Sequence, residues 1–198
     1  MVLKRCFDLL FTSLGLIVLA PLFLLIMLWI RFDSAGPVFF RQERVGHRGV
    51  TFRIYKFRTM VVDAEKLGRQ ITVGEDRRVT RSGRFLRKYK LDELPQLINV
   101  MRGEMSLVGP RPEVPRYVSE YPPEIKEKVL SVLPGITDYA SIEYKDENEV
   151  LAKADDPEKA YVEEVLPIKL RYYVSYVDNR SLWLDVCLIF RTFAAVIR

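Results

Sequence analysis

The chain is poor in the residues that build most metal and redox sites: 198 residues hold two cysteines, Cys6 and Cys187, and one histidine, His47. The cysteines are far apart and lack ligand spacing, which argues against a disulfide framework and a zinc site. His47 falls in a turn with no second His or Cys nearby, so it reads as a solvent-facing loop residue rather than a base or metal ligand. No nucleic-acid motif or stacking array accompanies the cations. The net charge of +5 is therefore only an electrostatic footprint, suited to anionic lipid or a phosphorylated substrate as much as to polynucleotide. The length allows one domain with a real core and is short for two.

What is abundant is apolar sequence near the N-terminus. From Leu9 to Ile30 about 22 residues carry no charge, and at roughly 1.5 Å per residue they match the ~30 Å hydrocarbon thickness of a bilayer. A signal peptide with Lys4 and Arg5 as its basic start and Val18-Leu19-Ala20 as its cleavage site is disfavoured, because Pro21 follows that alanine and the apolar run is too long. Lys4 and Arg5 precede the segment, while Arg31, Arg41, Arg44 and Arg48 follow it, so the positive-inside bias draws both ends to the cytoplasm. Pro21 removes the hydrogen bond to the Ile17 carbonyl, and a kink is expected there. A re-entrant, monotopic helix hairpin is preferred to a span.

After the turn-rich stretch Phe32 to Pro37, Val38 to Val45 and Val50 to Phe57 read as two strands joined by Gly46-His47-Arg48-Gly49. Strand alternation places Lys56 and Arg58 on one face. Asp63 starts a short helix, and Gly68 to Asp76 reads as a polar, lid-like stretch. Arg81 to Val100 reads as a helix containing Gly83 and Pro95. At about 100° per residue Arg81, Arg84, Lys88 and Asp92 share a sector, with Glu93 rotated roughly 100° away. Asp92 would face the cations and stay ionised, available as nucleophile or metal ligand, while Glu93 faces elsewhere. Leu91, Leu94 and Ile98 would bury the opposite side. Such charge runs are usually solvated faces. The loop that follows, Ser106 to Pro112, shifts the balance: two prolines fix φ on either side of Arg111 and a glycine permits close backbone approach, which suits a guanidinium clamp for phosphate.

Glu43-Arg44-Val45-Gly46, Tyr55-Lys56-Phe57-Arg58-Thr59-Met60, Leu91-Asp92-Glu93-Leu94-Pro95-Gln96, Met105-Ser106-Leu107-Val108-Gly109-Pro110-Arg111-Pro112 and Pro134-Gly135-Ile136-Thr137 together resemble the bacterial sugar transferase family of monotopic phosphoglycosyl transferases. The resemblance runs from the membrane segment to about Thr137. It implies the minimal catalytic form, without the extra N-terminal membrane domain of larger members. It implies transfer of a phospho-sugar from a UDP-sugar to a polyprenol phosphate such as undecaprenyl phosphate, at the cytoplasmic face of the bacterial inner membrane, with release of UMP. Residue by residue, Asp92 matches the nucleophile of a covalent phospho-sugar intermediate and Glu93 completes the dyad, with Mg²⁺ at Asp92 and Glu93. Arg87 and Arg111, together with Lys56, Arg58 and Arg84, match the phosphate-handling cations. Two departures stand out. Ala20-Pro21 replaces a common Ser-Pro, and Asp138-Tyr139-Ala140-Ser141 replaces Gly-Trp-Ala-Gln after Thr137, where sugar identity is in question.

In the C-terminal third, Pro122-Pro123 precedes a helix to about Val132, and Asp156 offers an N-cap with Pro157 at the first helical position. Pro167 interrupts or restarts the helix that follows, which carries the stripe Leu166, Leu170, Tyr173, Val174 and Val177. Asp178-Asn179-Arg180 is a break. The last helix, from about Ser181, gathers Trp183, Val186, Cys187, Phe190, Phe193, Ala194 and Ile197 on one side, with Arg191 and Arg198 available to headgroups. That face is either docked core or a bilayer-interface face. The expected fold is α+β and mostly helical: a membrane helix hairpin over 1–34, then a catalytic unit over 35–198 with a small β-hairpin and amphipathic interfacial helices. The partners are UDP-sugar, polyprenol phosphate and membrane lipid, not nucleic acid, with self-association left open. The competing reading is a membrane-anchored adaptor that binds anionic lipid or nucleic acid without catalysis.

Overall fold

A computed structural model describes residues 2–64, 76–143 and 151–197. The leucine-rich N-terminal run forms one helix, α1 (Val2–Asp33), with Pro21 inside it. The helix continues on both sides of Pro21, so the re-entrant hairpin expected there is not drawn as two separate helices. Polar side chains tie the first turns of α1 to the rest of the chain. Lys4 Nζ donates to Asp185 at 2.6 Å, Arg5 Nη1 to the Val100 carbonyl at 2.7 Å, and the buried Asp8 accepts from Ser106 Oγ at 2.8 Å. At the other end Asp33 accepts from the Ser82 hydroxyl and amide, and Phe23, Ile26 and Ile30 pack with Phe57 and Leu86. Between these anchors Leu14, Ile17, Val18, Leu24, Leu25 and Leu28 stay exposed.

The β-hairpin is as the alternation of its residues indicates. Strands β1 (Phe39–Val45) and β2 (Thr51–Phe57) pair antiparallel from Phe39↔Phe57 to Val45↔Thr51. A 3-10 turn at His47–Gly49 closes it, with Arg48 and Gly49 at positive φ. Nearly all of Gly68 to Asp76, and most of the short helix expected from Asp63, lie outside the described residues.

The single helix expected over Arg81 to Val100 is three pieces. Helix α2 (Arg81–Lys88) starts at Thr80, whose hydroxyl accepts from Gly83 N at 3.0 Å. Lys90 then turns left-handed at φ 54°, Leu91–Glu93 form a 3-10 turn, and α3 (Gln96–Arg102) begins after Pro95. Gly83 is where α2 meets the chain leaving the hairpin: a Cβ there would collide with the Thr59 carbonyl. Leu91 and Leu94 do pack beneath α1, as their spacing suggests.

A second pairing has no counterpart in the sequence reading. Strand β3 (Ser106–Val108) lies parallel to β4 (Gly135–Thr137), and the approach is so close that a Cβ on Gly135 would strike Gly109 N. Three short helices follow: α4 (Pro115–Ser119), which packs on β1, α5 (Pro123–Leu130), which packs on the His47–Gly49 turn, and α6 (Tyr139–Glu143). Asp156 caps α7 (Pro157–Ala160) by accepting from Glu158 N and Lys159 N. A π-helical turn, Tyr161–Val165, leads into α8 (Leu166–Asn179), and Pro167 falls in its first turn, where its missing N–H costs least.

Helix α9 (Leu182–Ile197) is docked along one side and open along the other. Its inner side buries Leu188 and Asp185, while Trp183, Phe190 and Phe193 remain 76%, 70% and 63% exposed. Arg191 is exposed as well. Arg198 lies outside the described residues.

Candidate active site

Three elements bring charged side chains together. The 3-10 turn between α2 and α3 carries Asp92 and Glu93, the end of β2 carries Lys56, and the β3–α4 connection carries Arg111. Glu93 is the hub. Its Oε1 accepts from Lys56 Nζ at 2.8 Å, and its Oε2 accepts from Arg111 Nη1 at 2.9 Å. Arg111 Nη2 also donates to Oε1, completing a bidentate pair. Burial alone would raise the Glu93 carboxyl, but Arg111 and then Lys56 outweigh it and hold the group well below the usual carboxylate range. Arg111 is correspondingly held well above its ordinary value: burial opposes this, and Glu93 overrides it. Lys56 moves the other way, because burial of the ammonium and repulsion by Arg111 exceed what a shared carboxylate returns.

Asp92 differs from its neighbour. It is 7% exposed and makes no hydrogen bond or ion pair with another described residue. Burial and then the Glu93 charge push its carboxyl above the ordinary value, against the pull of Lys56, Arg87 and Lys90. The expectation that cations keep Asp92 readily ionised while Glu93 faces away is therefore reversed. The turn at Lys90 is the cause. It rotates Asp92 out of the sector of Arg81, Arg84 and Lys88, all three of which stand exposed on α2.

Of the remaining predicted residues, Arg87 belongs to the cluster and Arg58 and Arg84 do not. Arg87 is half-buried, donates to Thr59 Oγ1 at 2.9 Å and interacts electrostatically with Asp92. Arg84 stays on the solvent side of α2. Arg58 lies beyond the end of β2 and does not continue its alternation. Its guanidinium instead donates to the Ser34 and Ala35 carbonyls at 2.7 and 2.5 Å, holding the exit of α1.

A magnesium ion asks little of a protein: one or two carboxylates, with substrate phosphates and waters filling the octahedron. Among the described residues no group of three or more His, Cys, Asp or Glu could hold a metal by itself. Both Glu93 oxygens are engaged by cations, whereas Asp92 offers oxygens without a hydrogen-bond partner among the described residues. The donor set thus fits a cation held jointly by Asp92 and a bound diphosphate, and it does not fit one held by the two acids alone.

Sequence reasoning passed over two features. Gln96 is fully buried with neither amide atom hydrogen-bonded among the described residues; a glutamine four residues after Asp92 on a buried helical face was the available signal. The other is a buried ionic group around Glu113, the residue directly after the Pro-Arg-Pro turn. No local pattern links Glu113 to Tyr161 and Lys169, far along the chain.

A family model described as bacterial sugar transferase matches residues 1–198. The chain is 39% identical over 197 residues to UDP-N-acetylgalactosamine-undecaprenyl-phosphate N-acetylgalactosaminephosphotransferase of Aeromonas hydrophila, covering 98% of this chain and 44% of that protein. It is 37% identical over 194 residues to UDP-glucose:undecaprenyl-phosphate glucose-1-phosphate transferase of Escherichia coli K12, covering 96% of this chain and 39% of that one. The exopolysaccharide production protein ExoY of Sinorhizobium fredii is 37% identical over 208 residues, with 98% and 84% covered. The chain thus spans less than half the length of the first two relatives and most of the third.

Proposed function

The chain belongs to the bacterial sugar transferase family, and from that premise we propose that it transfers a phospho-sugar from a UDP-sugar to undecaprenyl phosphate, as a membrane step of polysaccharide or glycoconjugate synthesis. The observation that carries the reading is the division within the acid pair: Glu93 is saturated by Lys56 and Arg111, while the neighbouring Asp92 is buried and has no hydrogen-bond partner among the described residues. A carboxylate that spends no hydrogen bonds on the protein keeps its lone pairs for an electrophile.

In this reading Arg111, Lys56 and Arg87 take the donor's diphosphate charge. An Asp92 oxygen attacks the sugar-linked phosphorus. The new bond is Asp92 Oδ–P, the bond broken is P–O to the uridine phosphate, and UMP leaves with the bridging oxygen. An oxygen of undecaprenyl phosphate then attacks the same phosphorus, the acyl phosphate bond breaks, and the Asp92 carboxylate returns. Splitting the transfer lets a water-soluble donor and a lipid acceptor use one site in turn. Glu93 keeps the cations in place. Magnesium, held by Asp92 and the diphosphate, would supply charge neutralisation.

The same structure supports a seat at the membrane without a crossing. Both ends of α1 are tied to one body, through Lys4, Arg5 and Asp8 at the start and Asp33 at the end. A helix crossing a bilayer would carry those ends to opposite faces. We read the chain as monotopic, with residues 1–34 in the inner membrane and 35–198 on its cytoplasmic face, as the flanking cations favour. A binding adaptor has no use for a buried Asp92 without a hydrogen-bond partner among the described residues, and nothing in the cluster reads nucleic-acid bases.

Intact-protein mass after incubation with UDP-sugar and Mg²⁺, without lipid, tests the covalent step. The wild type gains one phospho-sugar and Asp92→Asn gains none. An unmodified wild type, or an equal adduct on Asp92→Asn, overturns the assignment in favour of one-step transfer with Asp92 as metal ligand.

A further inference from the structure

The buried charges that the proposed chemistry leaves unused lie just behind the Pro110-Arg111-Pro112 turn. Glu113, Lys169 and Tyr161 are 6%, 5% and 3% exposed. Glu113 Oε1 accepts from the Tyr161 hydroxyl at 2.6 Å and from Lys169 Nζ at 3.0 Å, and Lys169 Nζ also donates to the Tyr161 oxygen at 3.0 Å. Arg44 closes the group from the hairpin, 3.6 Å from Glu113 Oε2.

Burying such a group is expensive, and apolar packing of equal volume commonly gives equal or greater stability. Its best-attested return is a fixed register. Here the backbone shows what is fixed. Arg44 Nη1 donates to the Pro112 carbonyl at 3.1 Å and Val45 N to the Glu113 carbonyl at 2.9 Å. On the other flank Gly135 N donates to the Pro110 carbonyl at 2.9 Å and Gly109 N to the Thr137 carbonyl at 3.1 Å. The turn is held on both sides, and the side chain it projects is Arg111.

The π-turn belongs to the same device. In a regular α-helix residues eight apart, as Tyr161 and Lys169 are, differ by about 80° around the axis. One extra residue taken up in the turn Tyr161–Val165 reduces that to about 20°, so both side chains reach one carboxylate.

We propose that Glu113, held by Tyr161 and Lys169, is a positioning residue that fixes the Pro110-Arg111-Pro112 turn and so aims the Arg111 guanidinium at the diphosphate of the nucleotide-sugar donor. This rests on the phosphate-binding role given to Arg111 above. Glu113 itself touches no substrate and acts through Arg111.

A double-mutant cycle decides it, read as UDP affinity by calorimetry and as kcat and KM for UDP-sugar, in wild type, Glu113→Gln, Arg111→Ala and the double variant. Loss of the Glu113 charge lowers UDP affinity and raises KM for the donor ~10-fold, the scale of one charge-assisted hydrogen bond. In the Arg111→Ala background the same change has no further effect, while its lowering of the thermal midpoint persists in both. Additive losses in affinity and KM overturn the inference, since a residue serving only the fold acts regardless of Arg111. Tyr161→Phe, which keeps the ring packing, replaces Glu113→Gln if that variant does not fold. The calorimetric arm needs no turnover. A wild type that binds UDP but transfers nothing defeats the proposed function and leaves this cycle intact, whereas one that binds no UDP overturns both.

Discussion

At the scale of single residues, the two adjacent acids have opposite environments and should have opposite mutational signatures. Asp92 is raised above its ordinary value by burial and by Glu93. A carboxyl whose folded pKa exceeds its unfolded one costs stability as pH rises: the unfolded chain releases its proton first, and the penalty is complete only above the folded pKa. In the metal-free protein at neutral pH, Asp92→Asn should therefore raise the thermal midpoint by about 2–4 °C, the shift that roughly 1 kcal/mol produces in a chain of this size. The gain should shrink to nothing as pH falls below the unfolded value, and the variant should be inactive. A destabilised Asp92→Asn in differential scanning calorimetry would mean that Asp92 has a protein partner in the folded state. Glu93→Gln should behave in reverse, losing stability at neutral pH because Arg111 and Lys56 are left buried without a counter-charge.

At the scale of elements, sequence and structure part at one left-handed residue and at one long-range strand pair. The β-hairpin was legible because alternation and a glycine-bounded turn are local signals, and both strands fall within a residue of their expected bounds. The helical reading from Arg81 to Val100 was not, because Lys90 at φ 54° is a conformation that nothing in the side chain of lysine announces. The consequence was the reversal of Asp92 and Glu93: a phase carried across a break is wrong by whatever the break rotates. The β3–β4 pair was equally hidden, since its partners lie almost thirty residues apart and strands of three residues have no period to read. Pro21 lies inside α1, and the helix runs on at either side of it. Because both ends of α1 grip one body, the natural Cys6 and a cysteine placed at Arg31, in a Cys187→Ser background, should both escape a membrane-impermeant maleimide in intact cells and react in inside-out vesicles. Opposite reactivity of the two would make α1 a true span.

At the scale of the whole molecule, the two exposed apolar surfaces should do different work. Helix α1 leaves Leu14, Ile17, Val18, Leu24, Leu25 and Leu28 uncovered, and at about 1.5–3 kcal/mol for each large side chain buried it can retain the protein in a bilayer by itself. Helix α9 adds Trp183, Phe190 and Phe193, while its Asp185 meets Lys4 of α1 at 2.6 Å. The starts of the two helices are therefore pinned together, and burying the α9 face would fix the tilt of the catalytic body against the lipid surface rather than its attachment. That distinction is measurable. Changing Trp183, Phe190 and Phe193 together to serine leaves the docked side with Leu188 and Asp185 intact, so folding should change little, as exposed sites usually do. Sedimentation with membranes should also be unaltered. Formation of the Asp92 adduct from UDP-sugar, a reaction among water-soluble partners, should proceed at the wild-type rate, whereas transfer to polyprenol phosphate in vesicles should slow by roughly an order of magnitude, the cost of losing one or two interfacial aromatic contacts. Equal slowing of both half-reactions would show that the α9 face shapes the site itself and has no part in presenting it to the lipid.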